Sequence, residues 1–175
     1  MQKQQQIALS AIGLAAGFML SASAFASPIC SGQSAAVTGN VSTVNISPIQ
    51  QQGQISLMFT AVRGGAVLFS DHGSINGQMV AKRGVRSRLN HQMIFSSGES
   101  LNTFNDVAIT KLPAVAYESD GTPCAYNVVE SINNFSGSGR FRDIKGAIVA
   151  EGTISFCSSN NQNTFILSGL VCLDD

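Results

Sequence analysis

Beyond residue 30 the chain alternates. Short runs rich in Val, Ile, Phe and Thr recur along it, and clusters of Gly, Asn and Ser separate the runs. A period of two assigns successive side chains to opposite faces of a strand, and no window holds apolar residues at helical spacing. The pattern predicts an all-β chain with strands over 35–46, 54–62, 66–70, 77–81, 89–95, 107–111, 125–135, 146–156 and 164–172. The triplet Gln50-Gln51-Gln52 and the dipeptide Asp71-His72 read as loop and turn. The expected architecture is a single antiparallel β-barrel of about eight strands, with a β-sandwich as the alternative.

The last three strands specify a register. Folding 164–172 back across the Ser158 to Asn163 loop sets Phe165 against Phe156, Leu167 against Ile154, Gly169 against Gly152 and Val171 against Ala150. Joining Ser136 to Gly146 sets Tyr126 by Phe156, Val128 by Ile154, Glu130 by Gly152 and Ile132 by Ala150. Both hairpins give one inner face, and because facing has a period of two, a one-residue slip would invert it.

The cysteines constrain the same strands. In this register Cys172 lies opposite Val149, about eight residues and on the order of 25 Å from Cys157, whereas a bridge needs Cα atoms within about 7 Å. Cys124 falls opposite Ser158, next to Cys157, so the expected bridges are Cys124–Cys157 and Cys30–Cys172. Cys124 and Cys157 have opposite facing in an ideal ladder, so their bridge requires a bulge or twist at the strand end. Joining the first strand to the last suits a closed barrel, which has no exposed edge.

Residues 1–26 read as a signal peptide: Lys3, an uncharged and largely apolar run from Ile7 to Leu20, then Ala24-Phe25-Ala26 as a small-x-small cleavage site. The run is too short and wrongly flanked for a spanning helix. Cleavage leaves residues 27–175 as one β-barrel domain, exported to the periplasm or secreted. Without Lys3, nine basic residues face ten acidic ones, a balance that argues against nucleic acid or an anionic membrane as the main partner. An even count of four cysteines suits an oxidising compartment. There is no CxxC spacing, and only His72 and His91 supply imidazole, so the sequence indicates neither a metal site nor a cofactor.

Phe135-Ser136-Gly137-Ser138-Gly139-Arg140-Phe141, followed by Gly146 and Gly152-Thr153-Ile154, resembles the G-x-G-x-F…G motif of the allene oxide cyclase and dirigent barrel superfamily, which includes small exported bacterial proteins. The likeness covers about 40 residues. It implies an eight-stranded antiparallel barrel with an apolar cavity, often in a homo-oligomer, and by fold analogy an isomerase or cyclase. No catalytic residue transfers with the motif.

Among candidate site residues Glu130 is foremost, since the register sets it inside with Tyr126, beside the glycines Gly152 and Gly169. A row of glycines beside a carboxylate is expected to leave open space at the polar end of an apolar pocket. The competing reading has Glu130 on an edge, bonded to Arg140 or Arg142. Lys82, Arg83, Arg86 and Arg88, with His91 nearby, form a second candidate that would grip an anion, against the plainer reading of a solvated loop. Arg140, Arg142 and Lys145 carry the same ambiguity. No G-x-S-x-G nucleophile motif or P-loop occurs, and the Asn40, Asn45 and Asn134 glycosylation patterns read as strand and turn residues. The leading expectation is a barrel that binds a small apolar or amphipathic ligand in its lumen, with catalysis as the secondary expectation. The alternative is a surface or effector-type interaction module with no ligand.

Overall fold

The computed structural model describes residues 30–173; the expected leader, 1–26, lies outside them. Ten strands follow in order: β1 (Gln33–Ser47), β2 (Gln50–Ala61), β3 (Val67–Arg83), β4 (Arg86–Phe95), β5 (Ser100–Thr110), β6 (Ala116–Tyr117), β7 (Pro123–Ile132), β8 (Phe135–Gly137), β9 (Lys145–Ser155) and β10 (Gln162–Leu173). Eight of them form a closed antiparallel barrel in the order β7-β9-β10-β1-β2-β3-β4-β5, sealed where β5 pairs with β7. The short β6 and β8 add to β7 and β5. The all-β barrel expected from the alternation is the observed fold.

Inward positions recur with period two. Ala35, Val37 and Val41 on β1, Ile55, Leu57 and Phe59 on β2, Met93 and Phe95 on β4, and Ile148, Ala150, Leu167 and Val171 on β9 and β10 build one core inside the barrel. One end is plugged. A single 3-10 turn, Gly139–Phe141, drives the fully buried Phe141 into a cluster with Phe59 and Phe95 at ring distances of 5.8 and 5.0 Å. Gly139 has φ +58°, and the carboxylate of Glu99 occupies the space a Cβ would fill, so the G-x-G-x-F run builds this plug.

The shared inner face of β7, β9 and β10 is present, but the register differs. Phe165 pairs with Gly152, Leu167 with Ala150 and Gly169 with Ile148, a slide of four residues. Tyr126 pairs with Ile154, Val128 with Gly152, Glu130 with Ala150 and Ile132 with Ile148, a slide of two. Both slides are even, so every residue keeps its face. Their cause lies in the connections. Residues 135–137 leave β7 and pair with β5 as β8, and β9 ends at Ser155, whose N–H donates to Asn163 Oδ1 at 2.9 Å.

Both expected disulfides are present, Cys30–Cys172 and Cys124–Cys157. The facing conflict at Cys157 is resolved because that residue lies beyond the end of β9, in a loop bridge with Asn160. Two disulfides are consistent with an extracytoplasmic protein. No helix among the described residues is long and apolar enough to cross a membrane.

Other boundaries need correction. The predicted strands 66–70 and 77–81 are one strand, β3, and Asp71-His72 lies in its middle: Asp71 turns inward, and Gly73 allows the Ile94 carbonyl to approach. Gln50-Gln51-Gln52 begins β2 instead of forming a loop. β5 starts at Ser100, well before 107.

Candidate functional site

β4, β5 and β7 are adjacent staves, and together they bring four buried polar residues to one height in the lumen: His91 from β4, Thr103 and Asp106 from β5, and Glu130 from β7. His91 on β4 pairs directly with Thr103 on β5, and Glu130 on β7 pairs with Ala108 on β5. Strict alternation from Thr103 would turn Asp106 outward. A bulge prevents this: Leu89 pairs with Asp106 while His91 pairs with Thr103, and Asn105 takes the left-handed conformation with φ 56°. Asn90 Oδ1 accepts the Asn105 N–H at 2.9 Å, and Arg88 donates to the Asn105 carbonyl at 2.8 Å, so both neighbours hold the bulge. The extra residue re-aims Asp106 into the barrel, where it is 0% exposed.

His91 Nδ1 lies 3.1 Å from Asp106 Oδ2, 3.1 Å from Thr103 Oγ1 and 3.7 Å from Glu130 Oε1. The Thr103 hydroxyl donates to Asp106 Oδ2 in a short hydrogen bond. Two buried oxygens, Asp106 Oδ1 and Glu130 Oε1, have no hydrogen-bond partner. Burial pushes the Glu130 carboxyl up to about 6; His91 pulls it back, and the Asp106 charge adds to the rise. For His91, burial acts to lower the pKa, but the charge of Glu130 and the hydrogen bond and charge of Asp106 together raise it above the ordinary imidazole value.

The cluster divides two spaces. On the plugged side lies an apolar cavity of about 40 Å³, lined by His91, Thr103 and Glu130 together with Ile55, Met93 and Leu167 among others. On the other side the barrel opens into a mouth of about 240 Å³, where Met79, Leu89, Tyr126, Val128, Ile154 and Phe165 surround Glu130. The polar wall near the mouth is satisfied within itself: the Asn163 amide donates to Thr43 Oγ1 at 3.1 Å and to Gln51 Oε1 at 3.2 Å.

Of the expected site residues, the structure brings Glu130 and Tyr126 together at the mouth. Glu130 is inside the barrel and 5% exposed, not on an edge, while Arg140 instead binds Glu99 at 2.5 Å and reaches Asp71 at 3.6 Å. The glycine row does not open the lumen. A Cβ on Gly152 would lie 1.9 Å from the Thr164 carbonyl, and one on Gly169 would lie 2.3 Å from that of Ala147, so these glycines admit neighbouring backbone; neither lines the cavity or its mouth. The basic run divides between faces. Lys82 pairs with the buried Ser87 and lines the mouth, Arg83 pairs with Arg86 on the opposite face, and Arg88 is committed to the bulge.

Sequence reasoning missed Asp106 and Thr103, and it placed His91 with the basic run. The available signal was Asn105-Asp106 inside an otherwise alternating run, since Asn tolerates the left-handed conformation and marks a bulge. It also indicated no metal centre, yet His91, Asp106 and Glu130 hold donor atoms within 4.8 Å of one another. A second such group, Glu118 with Cys124 and Cys157, has both sulfurs bonded to each other. No family model, curated protein or solved structure matches this chain.

Proposed function

We propose that the protein is an exported barrel, periplasmic or secreted, that binds a small amphipathic ligand in its open mouth, with the ligand's polar group directed at Glu130. One observation carries the reading: an apolar funnel ends on a buried carboxylate whose Oε1 lacks a hydrogen-bond partner. A site of this kind favours a ligand with an apolar body and a single hydrogen-bond donor, because leaving a buried acceptor unpaired costs about 1–3 kcal/mol. The mouth, at about 240 Å³, falls below the roughly 300–1,000 Å³ of sites for drug-sized molecules. The ligand class is therefore a monocyclic aromatic or short-chain alcohol or amine, and not a long fatty acid.

The barrel kinship suggested by the Gly137 to Phe141 motif belongs to the same proposal, and catalysis of the isomerase or cyclase type would appear as turnover in addition to binding. The small inner cavity, about 40 Å³, favours the rival reading of a scaffold for surface contacts. Calorimetric titration of refolded protein with phenols, short alcohols and amines separates the two. Saturable binding that Glu130→Gln weakens about tenfold, a loss of about 1.4 kcal/mol, supports the ligand reading. No binding across the panel, or binding indifferent to Glu130→Gln, removes Glu130 from the function.

A further inference from the structure

We infer that His91, Asp106 and Glu130 form a binding site for one divalent transition cation of the zinc type inside the barrel. The inference goes beyond the ligand reading but shares Glu130 with it; Asp106 belongs to the metal cluster and does not line the mouth, so Asp106→Asn distinguishes failure of one reading from failure of the other.

The first support is distance. Zinc held at about 2.0–2.2 Å by nitrogen and carboxylate oxygen places its ligand atoms about 3.3–3.6 Å apart in a tetrahedron. Here Nδ1 of His91 is 3.1 Å from Asp106 Oδ2 and 3.7 Å from Glu130 Oε1, and all three donors fall within 4.8 Å. A shared cation therefore requires only small side-chain adjustments.

The second support is the unsatisfied carboxylate oxygens, one on Asp106 and one on Glu130, both residues more than nine-tenths buried. Burying a carboxylate without a partner is costly, and buried charges are paired or coordinate metals. No lysine or arginine is among the residues lining the inner cavity, and the one basic side chain set against the two carboxylates is His91, which can carry at most one positive charge against two negative ones. A divalent cation between these donors would offset the charge of both carboxylates and give the free Glu130 Oε1 a partner.

The third support is the surroundings. Thr103 donates its hydroxyl to Asp106 Oδ2, the kind of outer hydrogen bond that orients a ligating carboxylate. The adjoining cavity of about 40 Å³ has room for about three water-sized groups, enough for exogenous ligands at the open position that catalytic zinc sites keep. One imidazole with two carboxylates suits zinc or manganese better than calcium or magnesium, which prefer oxygen alone.

The test uses metal-free protein, prepared with a chelator and refolded with and without Zn2+. Bound metal is counted by mass spectrometry of the desalted protein, and affinity is measured by calorimetry. His72 is exposed and is the other histidine in the chain, so His72→Ala serves as the control for surface binding. The expected result is one zinc per chain in wild type and in His72→Ala, a raised melting temperature with Zn2+, and affinity reduced at least about tenfold to a hundredfold in Asp106→Asn and Glu130→Gln. These two near-isosteric variants keep the test decisive if His91→Ala does not fold. Substitution by Co2+ adds a second readout, visible absorption without a thiolate charge-transfer band, because both cysteine pairs are bridged. Failure to retain zinc even when refolded with it, or retention lost in His72→Ala but unchanged in Asp106→Asn and Glu130→Gln, overturns the inference.

Discussion

Asp71 shows how one residue can read as a turn and yet be fixed in a strand. It faces inward on β3, where Ser96 Oγ donates to it at 2.5 Å and the His72 N–H at 2.8 Å. The hydrogen bonds from Ser96 and Ser97 hold its carboxylate well below the usual range. A carboxylate with a depressed folded pKa contributes stability above its unfolded value, near pH 4, and that contribution is lost as pH falls from there toward the folded value. Asp71→Asn should therefore lower the melting temperature most at neutral pH, and the gap from wild type should close as pH drops below about 4. Thermal melts of both proteins across pH 2 to 7 check this, and a gap that stays constant with pH would show that the charge is not what matters. The same residue marks what the sequence conceals. Asp71, Gly73 and Asp106 look like turn formers because side chains that accept local hydrogen bonds favour turns, but here Ser96 partners Asp71 and the bulge at Asn105 re-aims Asp106. Glu130 was legible because only parity decides its face. Its partners were not, since one extra residue on β5 reverses the facing of all that follows.

At the scale of elements, alternation located the strands and the turns controlled their register. The β7–β9 and β9–β10 pairings slide by even numbers, so a face can be read correctly while the individual partners are wrong. The connections were harder to read because their residues pair elsewhere: β8 leaves the hairpin to extend the β5 edge, and the 3-10 turn after it carries Phe141 into the barrel end. This plug sits opposite the mouth. Its rings stack closely, with Phe59 and Phe69 at 4.3 Å and the Arg140 guanidinium 4.2 Å from the Phe69 centroid. Phe141→Ala should cost about 3–5 kcal/mol of unfolding free energy through the cavity it leaves, and Phe141→Leu should cost distinctly less. Because the plug is remote from Glu130, ligand affinity at the mouth should remain unchanged in any variant that folds. Denaturant melts paired with ligand titration test both halves, and a loss of affinity comparable to that of Glu130→Gln would show that the plug shapes the mouth.

Across the whole molecule the seams are unequal. β1 and β10 are joined by twelve paired positions, from Gln33–Leu173 to Val44–Gln162, whereas β5 and β7 seal the barrel over only four, from Val107–Ser131 to Thr110–Val128. The two disulfides therefore act differently, although spacing and register revealed both pairings. Cys30–Cys172 spans 142 positions across the strong seam, so its effect falls mainly on the unfolded chain, where loop closure predicts about 5 kcal/mol. Cys124–Cys157 spans 33, for about 4 kcal/mol by the same estimate, but it also ties β7 to the loop that carries Phe156 into the mouth wall. Paired Cys→Ser variants separate these roles. Replacing Cys30 and Cys172 should lower stability by several kcal/mol while leaving ligand affinity as in wild type. Replacing Cys124 and Cys157 should lower both, because the loop over 156–161 loses its anchor beside the weak seam. Urea titration gives the stability and calorimetry with the best phenol or alcohol gives the affinity. If the first pair weakened binding more than the second, the mouth would depend on the β1–β10 seam, and the assignment of the weak side to β5–β7 would be wrong.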